Sequence, residues 1–393
     1  MGRFVSSPLR VLHVDHSTVL GGAELALFRM LTLPPDWHAT LFVPNDPEEK
    51  LGVYAPLSGG PVAVKMRGPA QATGASRGGV LGMLRFAARA FGQSIAIRFS
   101  RDFSTAHVIH GNTSRSAVYA AVACFGSRKK LVVHLRDVID VETLGGVGFR
   151  LFTRVALRRA DGVIANSQAS LNSALPYIRG GVPSVVIASA SGLNPAAVER
   201  RTERAGPVTV GMVARLDPWK GQELLLRAFA RSSNADDRLV FAGSAPFGHD
   251  DFLVKLQDLA ASLGISERVD FPGHVDDVPS LLGEMDICVQ SSTRPEPLGQ
   301  NVLQYLAAGR PTIATNAGGP AEWITDGVNG LLFELGNEDS LVDALDRLSS
   351  DAALRSRLAS AALDTPGLVT DAEIARLHGD FFARVARPSA DDR

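Results

Sequence analysis

Short runs of β-branched and aliphatic residues alternate along this chain with longer segments of helical spacing. The apolar runs predict thirteen strands, at Leu9–Val14, Thr40–Val43, Val62–Val64, Val108–His110, Leu131–His134, Val163–Asn166, Val185–Ala188, Val208–Val213, Leu239–Ala242, Val269–Phe271, Ile287–Gln290, Thr312–Thr315 and Gly330–Phe333. The intervening segments repeat apolar residues every three or four positions, which indicates amphipathic helices such as Ala23–Leu33 and Asn301–Ala308. Because strands followed by helices connect through right-handed crossovers, the pattern predicts parallel sheets. The expected fold class is α/β, with two Rossmann-like domains of six or seven strands each.

The expected boundary between the domains is Gly192–Pro207, a charged segment with two prolines. Its apolar residues do not recur at the spacing of a helix or strand that packs on a core. We expect a first domain at 1–192 and a second at 207–370. A Pro-Gly break then precedes one last helical segment, so residues 371–393 are expected to form a C-terminal helix that packs back on the first domain. Ligands of open parallel sheets bind beyond the carboxyl ends of the strands, and two domains facing each other there would form a cleft.

The composition mainly excludes classes of protein. Of 393 residues, 45% are hydrophobic and 21% charged, which is typical of a globular protein. No apolar run reaches the ~18 residues of a membrane-spanning helix. The N-terminus lacks the small-residue cleavage site of a signal peptide, so we expect a cytoplasmic protein. Cys124 and Cys288 lie in apolar contexts without metal-ligand spacing and are expected in the core.

The formal net charge of −1 hides an asymmetry between the two halves. Residues 1–190 contain 21 Lys or Arg against 11 Asp or Glu, a net +10, so the remaining 19 against 30 give −11 for residues 191–393. A neutral total argues against a nucleic-acid partner. Within the first half, Val80–Phe99 mixes apolar residues with arginines, as interfacial helices do. Two interpretations stay open: a peripheral contact with the inner face of a membrane, or core packing with a solvated basic rim.

Several motifs of other enzyme classes are absent from the sequence. It has no GxxxxGKS/T loop, and no GxGxxG follows the first strand, which disfavours P-loop nucleotidases and dinucleotide-dependent dehydrogenases. It also has no GxSxG, HExxH or Cys/His cluster, which disfavours serine hydrolases and zinc enzymes. Since no Asp-x-Asp stands at a strand end, we expect no bound metal and no cofactor.

Two cations follow the first strand of the second half. Arg215 comes directly after the strand, and Lys220 precedes Gly221 at the entry to the next helix. The free N–H groups and the dipole of a helix N-terminus add to the charge of the two cations, so this point suits a diphosphate. The alternative is a solvated Arg215 with Lys220 lying beside Trp219.

A carboxylate and an uncapped helix follow a later strand. Glu296 lies in the loop after Gln290, and Pro297–Gly299 opens a helix whose first amides lack intrahelical partners. A carboxylate beside free amides can bind sugar hydroxyls on one side and phosphate oxygens on the other. Gln304 follows near the same loop. The alternative role of Glu296 is to cap the helix.

Six segments of the chain occur in an order and spacing that one enzyme family shares. They are GGAE at Gly21–Glu24, VVHLRD around His134, RADGVIANS at Arg159–Ser167, ARLDPWKGQ at Ala214–Gln222, FAGSAP at Phe241–Pro246 and EPLGQNVLQYLAAGRPTIAT at Glu296–Thr315. Together they make the chain resemble the retaining, nucleotide-sugar-dependent glycosyltransferases of family 4. The resemblance implies the GT-B fold, with two Rossmann-like parallel-sheet domains facing a cleft.

The resemblance also implies roles for particular residues. Arg215 and Lys220 would hold the donor diphosphate, and the Gly21–Gly22 loop would let the first domain close over it. Glu296 would bind hydroxyls of the donor sugar, and the amides around Leu298 and Gly299 would bind sugar or phosphate.

Two further positions carry open questions. His134 would approach the sugar near C6, although on the residues alone it is equally a core histidine. Gln304 stands where the family usually has a second glutamate that binds the nucleotide ribose; an amide can still bond a diol, but without a charge. Ser191–Asn194 also replaces the family's common Asn-Gly-Val-Asp.

The leading hypothesis is a metal-independent, retaining transfer of a hexose from a nucleoside diphosphate sugar, most simply a UDP-sugar, to an acceptor hydroxyl. The expected partners are that donor and an acceptor that is lipid-linked or anionic if the basic half contacts a membrane. One alternative is a sugar-nucleotide epimerase, which needs paired acid and base groups such as Glu296 and His134. Another is a non-catalytic sugar-nucleotide-binding protein, which the missing second glutamate suggests.

Overall fold

The computed structural model describes residues 8–33, 36–45, 50–70, 79–197, 206–232, 235–245 and 250–387, with only the backbone for residues 79–86, 196 and 250. The chain divides into two compact units. The first unit comprises Met1–Ala190 together with Asp371–Arg393, and the second comprises Ser191–Thr370. The expected linker, Gly192–Pro207, therefore falls within the second unit, and its residues 198–205 lie outside the described residues.

The first unit is built on a seven-stranded sheet in which every strand pairs in parallel with its neighbours. The strand order is β3-β2-β1-β4-β5-β6-β7. The strands are β1 (Arg10–Val14), β2 (His38–Val43), β3 (Ala63–Met66), β4 (Val108–Gly111), β5 (Lys130–Leu135), β6 (Gly162–Ala165) and β7 (Ser184–Val186). The central strands β4 and β6 are buried along their whole length, because helices cover both faces of a doubly wound sheet.

The helices of the first unit begin at residues that the capping rules favour. Thr113 and Ser116 form a reciprocal capping box at one helix, and Asp140 and Ser167 each accept a backbone N–H at the start of another. The helices are α1 (Gly22–Thr32), α2 (Gly79–Arg98), α3 (Arg101–Thr105), α4 (Ser114–Ala123), α5 (Val141–Leu151), α6 (Leu157–Arg159) and α7 (Gln168–Ala174), with a π-helical turn at Phe152–Ala156 between α5 and α6.

The second unit repeats the architecture with a six-stranded parallel sheet in the order β10-β9-β8-β11-β12-β13. The strands are β8 (Thr209–Val213), β9 (Arg238–Ala242), β10 (Val269–Gly273), β11 (Ile287–Gln290), β12 (Thr312–Thr315) and β13 (Leu331–Phe333). The helices are α8 (Gln222–Arg231), α9 (Asp250–Ser262), α10 (Val278–Glu284), α11 (Gln300–Ala307), α12 (Pro320–Trp323), α13 (Glu338–Ser350) and α14 (Ala352–Leu363). Every strand that the apolar runs predict overlaps one of the observed strands.

The last helix, α15 (Asp371–Ala386), contacts α1, β4 and β5 of the first unit. It approaches the sheet so closely that a Cβ on Gly162 would lie 2.6 Å from Val385 and 3.1 Å from Phe381. A Cβ on Gly379, within the helix, would likewise lie 3.1 Å from the ring of Trp37. The first unit is therefore completed by a segment that follows the second unit in the sequence.

Each unit has its own hydrophobic core between sheet and helices. Cys124 and Cys288 are both free and completely buried, and burial raises the pKa of each thiol to about 12. Both are thus packing residues, as their sequence contexts predict. No helix among the described residues is both long and apolar enough to cross a membrane.

The order of the strands also shows where ligands can bind. The connections reverse direction between β1 and β4 in the first sheet and between β8 and β11 in the second. A crevice at the carboxyl ends of the strands is characteristic of such switch points. The loops that leave these four strands are therefore the places to search for functional side chains.

Candidate functional site

In the second unit, the loop after β8 is a tight turn that leads directly into α8. Asp217 accepts the N–H of Trp219 with its side chain, and residues Pro218–Lys220 form a single 3₁₀ turn. Gly221 then adopts a φ of 79°, and a Cβ there would lie 1.8 Å from the carbonyl oxygen of Ser291 in the loop after β11. Only glycine allows this approach, which brings the two switch-point loops together.

This close approach places Lys220 on Glu296. The Lys220 Nζ lies 3.0 Å from the Glu296 Oε1, with only 14% and 6% of the two side chains exposed. The ammonium also stands 4.1 Å from the centroid of the Trp219 ring, so the alternative contact with Trp219 exists as well. The two residues of opposite charge, 76 positions apart in sequence, thus form one site.

Glu296 is held as a carboxylate by several donors. Besides Lys220, the Ser292 hydroxyl and the Gln290 amide at 3.0 Å donate to the same oxygen, Oε1. Burial alone would raise the pKa of Glu296, but the charge of Lys220 and these donors together hold it below its ordinary value. Among the described residues, all three donors reach Oε1, which leaves Oε2 to accept a hydrogen bond from a ligand hydroxyl.

The loop that carries Glu296 is fixed by two glycines after β12. Gly318 has a φ of 67°, and a Cβ there would lie 2.4 Å from the Glu296 carbonyl oxygen, which also accepts the N–H of Gly319 at 2.8 Å. Leu298 is buried beneath this loop, and Gly299 has a φ of 72° at the start of α11. The glycines thus serve the protein's own loop, and the Glu296 carboxylate is positioned by it rather than by a helix cap.

Arg215 and Gln304 are arranged differently from Lys220 and Glu296. The Arg215 side chain is 45% exposed and lies 4.0 Å from the Asp217 carboxylate, so it is free to turn toward an anion. The Gln304 amide nitrogen donates to the Ser191 carbonyl at 3.1 Å, and the residue is 9% exposed. A contact of Gln304 with a ribose could therefore use its oxygen or the second hydrogen of its amide nitrogen.

In the first unit, His134 does not reach the surface. It belongs to a buried cluster with His13, His110 and His378, in which each ring is no more than 1% exposed. For His134, the structure thus agrees with the core histidine and not with a contact to a sugar. The reason is the strand alternation, since His134 is the fifth residue of β5 and points into the layer beneath α15, where its ring lies 5.4 Å from that of His378.

The hydrogen bonds of this cluster determine the tautomers. The Trp37 Nε1–H can only donate, so the His13 Nε2 at 3.1 Å accepts and its Nδ1 carries the hydrogen. His13 then donates to the His110 Nδ1 at 2.9 Å, and His110 donates through Nε2 to the His134 Nδ1 at 3.2 Å. These hydrogen bonds make His13, His110 and His134 neutral, and burial lowers the pKa of all three.

The polar residues that the sequence did not single out follow the carboxyl ends of the first sheet. Asp15, after β1, accepts from the Tyr54 hydroxyl at 2.5 Å and from the Asn112 amide, after β4, at 2.7 Å. Arg136, after β5, donates to the Asn112 Oδ1 and to the Ser189 Oγ, both at 2.8 Å. Burial lowers the pKa of Arg136 to about 10. The signal that would have found these residues is their common place directly after strands.

Glu24 explains part of the Gly21–Gly22 motif. Its carboxyl group folds back over the start of α1, where a Cβ on Gly21 would lie 2.4 Å from Oε2. Burial and the neighbouring Asp15 raise the pKa of Glu24 to about 8. Asp15, His16 and Glu24 place three metal-ligand atoms within 4.8 Å of one another, which is a geometry that can hold a cation. However, both Asp15 oxygens already accept hydrogen bonds, and the charge of Arg136 lies close enough to lower the pKa of Glu24.

Comparison with known proteins shows which family the second unit resembles. Residues 196–365 match the family described as glycosyl transferases group 1. Over these residues the second unit is similar to the group 1 glycosyltransferases. The match covers nearly all of the second unit and includes Arg215, Lys220, Glu296 and Gln304.

Curated relatives carry names from the same class of enzyme. LpsE of Rhizobium meliloti, a lipopolysaccharide core biosynthesis glycosyltransferase, is 34% identical over 164 residues, which are 42% of this chain and 46% of LpsE. A D-inositol 3-phosphate glycosyltransferase of Stackebrandtia nassauensis is 29% identical over 235 residues, 54% of this chain and 53% of the relative. The matched segments thus span about half the length of these curated relatives.

Among solved structures, HepE of Anabaena in complex with UDP-glucose resembles almost the whole of this chain. The TM-score is 0.79 at 26% identity, over 96% of this chain and 100% of the HepE chain. The complex of HepE with UDP and glucose gives a TM-score of 0.78. These similarities and the two parallel sheets confirm the expected fold class, α/β with two Rossmann-like domains of the GT-B type.

Proposed function

We propose that this protein transfers a hexose from a UDP-sugar to an acceptor hydroxyl with retention of configuration and without a divalent metal. The observation that carries the proposal is the buried pair of Lys220 and Glu296 at the β8/β11 switch point. A cation for a diphosphate and a carboxylate for sugar hydroxyls stand side by side there. Similarity to HepE, whose complexes contain UDP, glucose and UDP-glucose, supports the choice of donor.

In the proposed reaction, the bond between sugar C1 and the oxygen of the β-phosphate breaks, and C1 bonds to the acceptor oxygen. The electron pair of the broken bond stays on the β-phosphate oxygen, and the acceptor proton passes to the leaving diphosphate, so the products are the glycoside and UDP. Lys220 and Arg215 stabilise the negative charge that develops on the leaving group, as preorganised cations do in partly desolvated sites. Glu296 binds sugar hydroxyls through Oε2 and orients the ring.

We infer that the acceptor attacks C1 on the same face from which the diphosphate leaves. A covalent glycosyl-enzyme intermediate would need a nucleophilic carboxylate, and Asp15 and Glu24 of the first unit are poor candidates for that role. Asp15 has both oxygens occupied by hydrogen bonds from Tyr54, Asn112 and the His16 N–H. Glu24, whose pKa is raised to about 8, is mostly protonated at pH 7 and is a weak nucleophile. Neither group is therefore suited to form a glycosyl-enzyme bond.

Donor binding tests the proposal without knowledge of the acceptor. Isothermal titration with UDP and with UDP-glucose is expected to give binding to both, and Lys220→Ala is expected to weaken both at least tenfold. Glu296→Gln is expected to remove the gain of UDP-glucose over UDP while UDP binding persists. Arg231→Ala, which removes an exposed cation bound to Glu338 and Asp339, is the matched control. Unchanged UDP binding by Lys220→Ala would overturn the diphosphate role.

The alternatives differ in what happens after donor binding. A non-catalytic sugar-nucleotide-binding protein would bind UDP-glucose but never release UDP when acceptors are added. An epimerase would change the sugar without any acceptor, but its second acid or base candidate, His134, is buried in the core of the first unit. Anomeric analysis of the glycoside product by NMR would establish retention, and activity in the presence of EDTA would establish independence from metal.

A further inference from the structure

One surface of the first unit exposes large apolar side chains that the fold does not use. Phe91 and Ile95 on α2 are 60% and 43% exposed, and Phe99, just after the helix, is 83% exposed. The spacing of four residues places them on one side of the helix, opposite the buried Ile97. Together with Phe125, which is also 83% exposed, we call these four residues the aromatic face.

The four residues form one surface because the ends of two helices meet. The Arg98 guanidinium donates to the Ala123 carbonyl at 3.2 Å, which holds the end of α2 against the end of α4. Phe99 and Phe125 are the first exposed apolar residues beyond these two ends. Scattered exposed apolar residues are ordinary on soluble proteins, but three phenylalanines and an isoleucine exposed along α2 and just beyond the adjoining ends of α2 and α4 are typical of an interaction surface.

The charges around the aromatic face have one sign. Residues 79–130 contain eight Lys or Arg (85, 89, 98, 101, 115, 128, 129 and 130) against a single acidic residue, Asp102. Asp102 is already bound by Lys65 at 2.7 Å. Three exposed arginines lie close to the aromatic face in sequence: Arg89 on α2, Arg101 two residues after Phe99 and Arg128 three residues after Phe125. The surface therefore combines exposed apolar residues with a positive field, and it includes part of Val80–Phe99, for which the sequence left both a membrane contact and core packing open.

We propose that the aromatic face docks on a lipid bilayer that contains anionic headgroups. The phenylalanines enter the boundary between headgroups and acyl chains, and the three arginines bind lipid phosphates. A second copy of the chain is a poorer occupant, because a two-fold interface would place the same basic residues of both copies against each other. This proposal goes beyond the proposed sugar transfer, and its readout does not depend on donor or acceptor.

Sedimentation with vesicles tests the charge contribution. The full chain is expected to bind vesicles of phosphatidylcholine that contain roughly 30% phosphatidylglycerol, a share that gives the vesicles a negative surface. It is expected to remain in the supernatant with vesicles of pure phosphatidylcholine. Arg89→Gln/Arg101→Gln/Arg128→Gln is expected to weaken binding about 100-fold, since each basic residue near such a surface contributes about fivefold. Binding should also fall at about 0.5 M salt.

The chain offers a matched control on another helix of the same unit. Arg150, Arg154 and Arg158 are exposed and line a cavity with Phe149 and Tyr177 at α5 and α6. Arg150→Gln/Arg154→Gln/Arg158→Gln removes the same charge outside the aromatic face and is expected to leave vesicle binding within about twofold of the original. Equal loss in both triple variants would show attraction by total charge and would overturn the proposal.

The apolar contribution has its own measurement. The emission that Phe99→Trp adds to that of the unmodified protein is expected to shift to the blue when anionic vesicles are added, because the new indole leaves water. Phe99→Ser/Phe125→Ser is expected to weaken binding to anionic vesicles at low salt although it removes no charge, and both positions are exposed, so the fold should tolerate the change. An unshifted emission of Phe99→Trp would show that this position does not enter the bilayer and would overturn the proposal. Binding to soluble polyglutamate as tight as to vesicles would indicate an acidic protein partner and would also overturn it.

Discussion

The buried histidine cluster makes the stability of the first unit depend on pH through named residues. His13, His110, His134 and His378 have essentially no exposed surface, and burial lowers the pKa of His13 to about 3 and that of His378 to about 4. The folded state therefore keeps these rings neutral below pH 6.5, where the unfolded chain takes up protons. Because the unfolded state binds more protons there, stability is lost as the pH falls from 6.5 toward 4.

The magnitude for one residue follows from its two pKa values. With an ordinary value of 6.5 and a folded value of about 4, His378 costs about 2 kcal/mol of unfolding free energy between pH 7 and pH 5. Glu24 acts in the opposite direction, since its pKa is raised to about 8 and the folded state holds its proton as the pH falls. The total change is therefore a difference between opposing groups, and a single variant isolates one of them.

His378→Leu is the informative substitution. The His378 Nδ1 donates only within its own helix, to the Ile374 carbonyl at 2.7 Å, so its loss does not break the chain of His13, His110 and His134. Between pH 7 and pH 5, we expect His378→Leu to lose about 2 kcal/mol less unfolding free energy than the unmodified protein. Urea unfolding followed by Trp37 emission, with Trp219 and Trp323 replaced by Phe, measures the first unit alone.

A control and a clear refutation accompany this prediction. His274→Gln removes an exposed histidine and is expected to leave the pH dependence unchanged. If His378→Leu and the unmodified protein lose the same unfolding free energy between pH 7 and pH 5, His378 is not kept neutral by burial, and the reasoning from the cluster fails.

Three further predictions test the site and its surroundings. Between pH 7 and pH 9, Glu24→Gln should lose about 1.4 kcal/mol less unfolding free energy than the unmodified protein, whose folded state must ionise a buried carboxyl with a pKa of about 8. Urea unfolding at both pH values measures the two losses, and equal losses would contradict the raised pKa. Gln304→Leu should weaken UDP binding and lower the unfolding free energy of the second unit by roughly 1–3 kcal/mol, because the Ser191 carbonyl loses its donor, whereas Gln304→Glu should keep UDP binding; titration showing Leu equal to Gln would exclude a ribose contact. Gly318→Ala should weaken UDP-glucose binding more than UDP binding, because a Cβ at a φ of 67° would displace the Glu296 carbonyl, and unchanged affinities would mean that the loop is not held by this contact.

The fold followed from the sequence because parallel α/β sheets have a strong local pattern. Each strand is a short apolar run and each helix has a 3.6-residue period, so all predicted strands were confirmed without any knowledge of long-range contacts. The residues after strands β8 and β11 were also predictable, because the carboxyl edge of such sheets binds ligands by topology alone. Arg215, Lys220 and Glu296 were singled out on this basis.

The tertiary structure decided which of those residues act together and which are part of the core. Lys220 and Glu296 meet because Gly221 brings two loops within contact distance, and no local pattern encodes a distance between residues so far apart. His134 is buried because a helix from the end of the chain covers its strand, and a strand pattern gives the face of a residue but not what covers that face. Asp15, Asn112 and Arg136 were missed for the same physical reason: each is an ordinary polar residue after a strand until the sheet order places β1, β4 and β5 side by side.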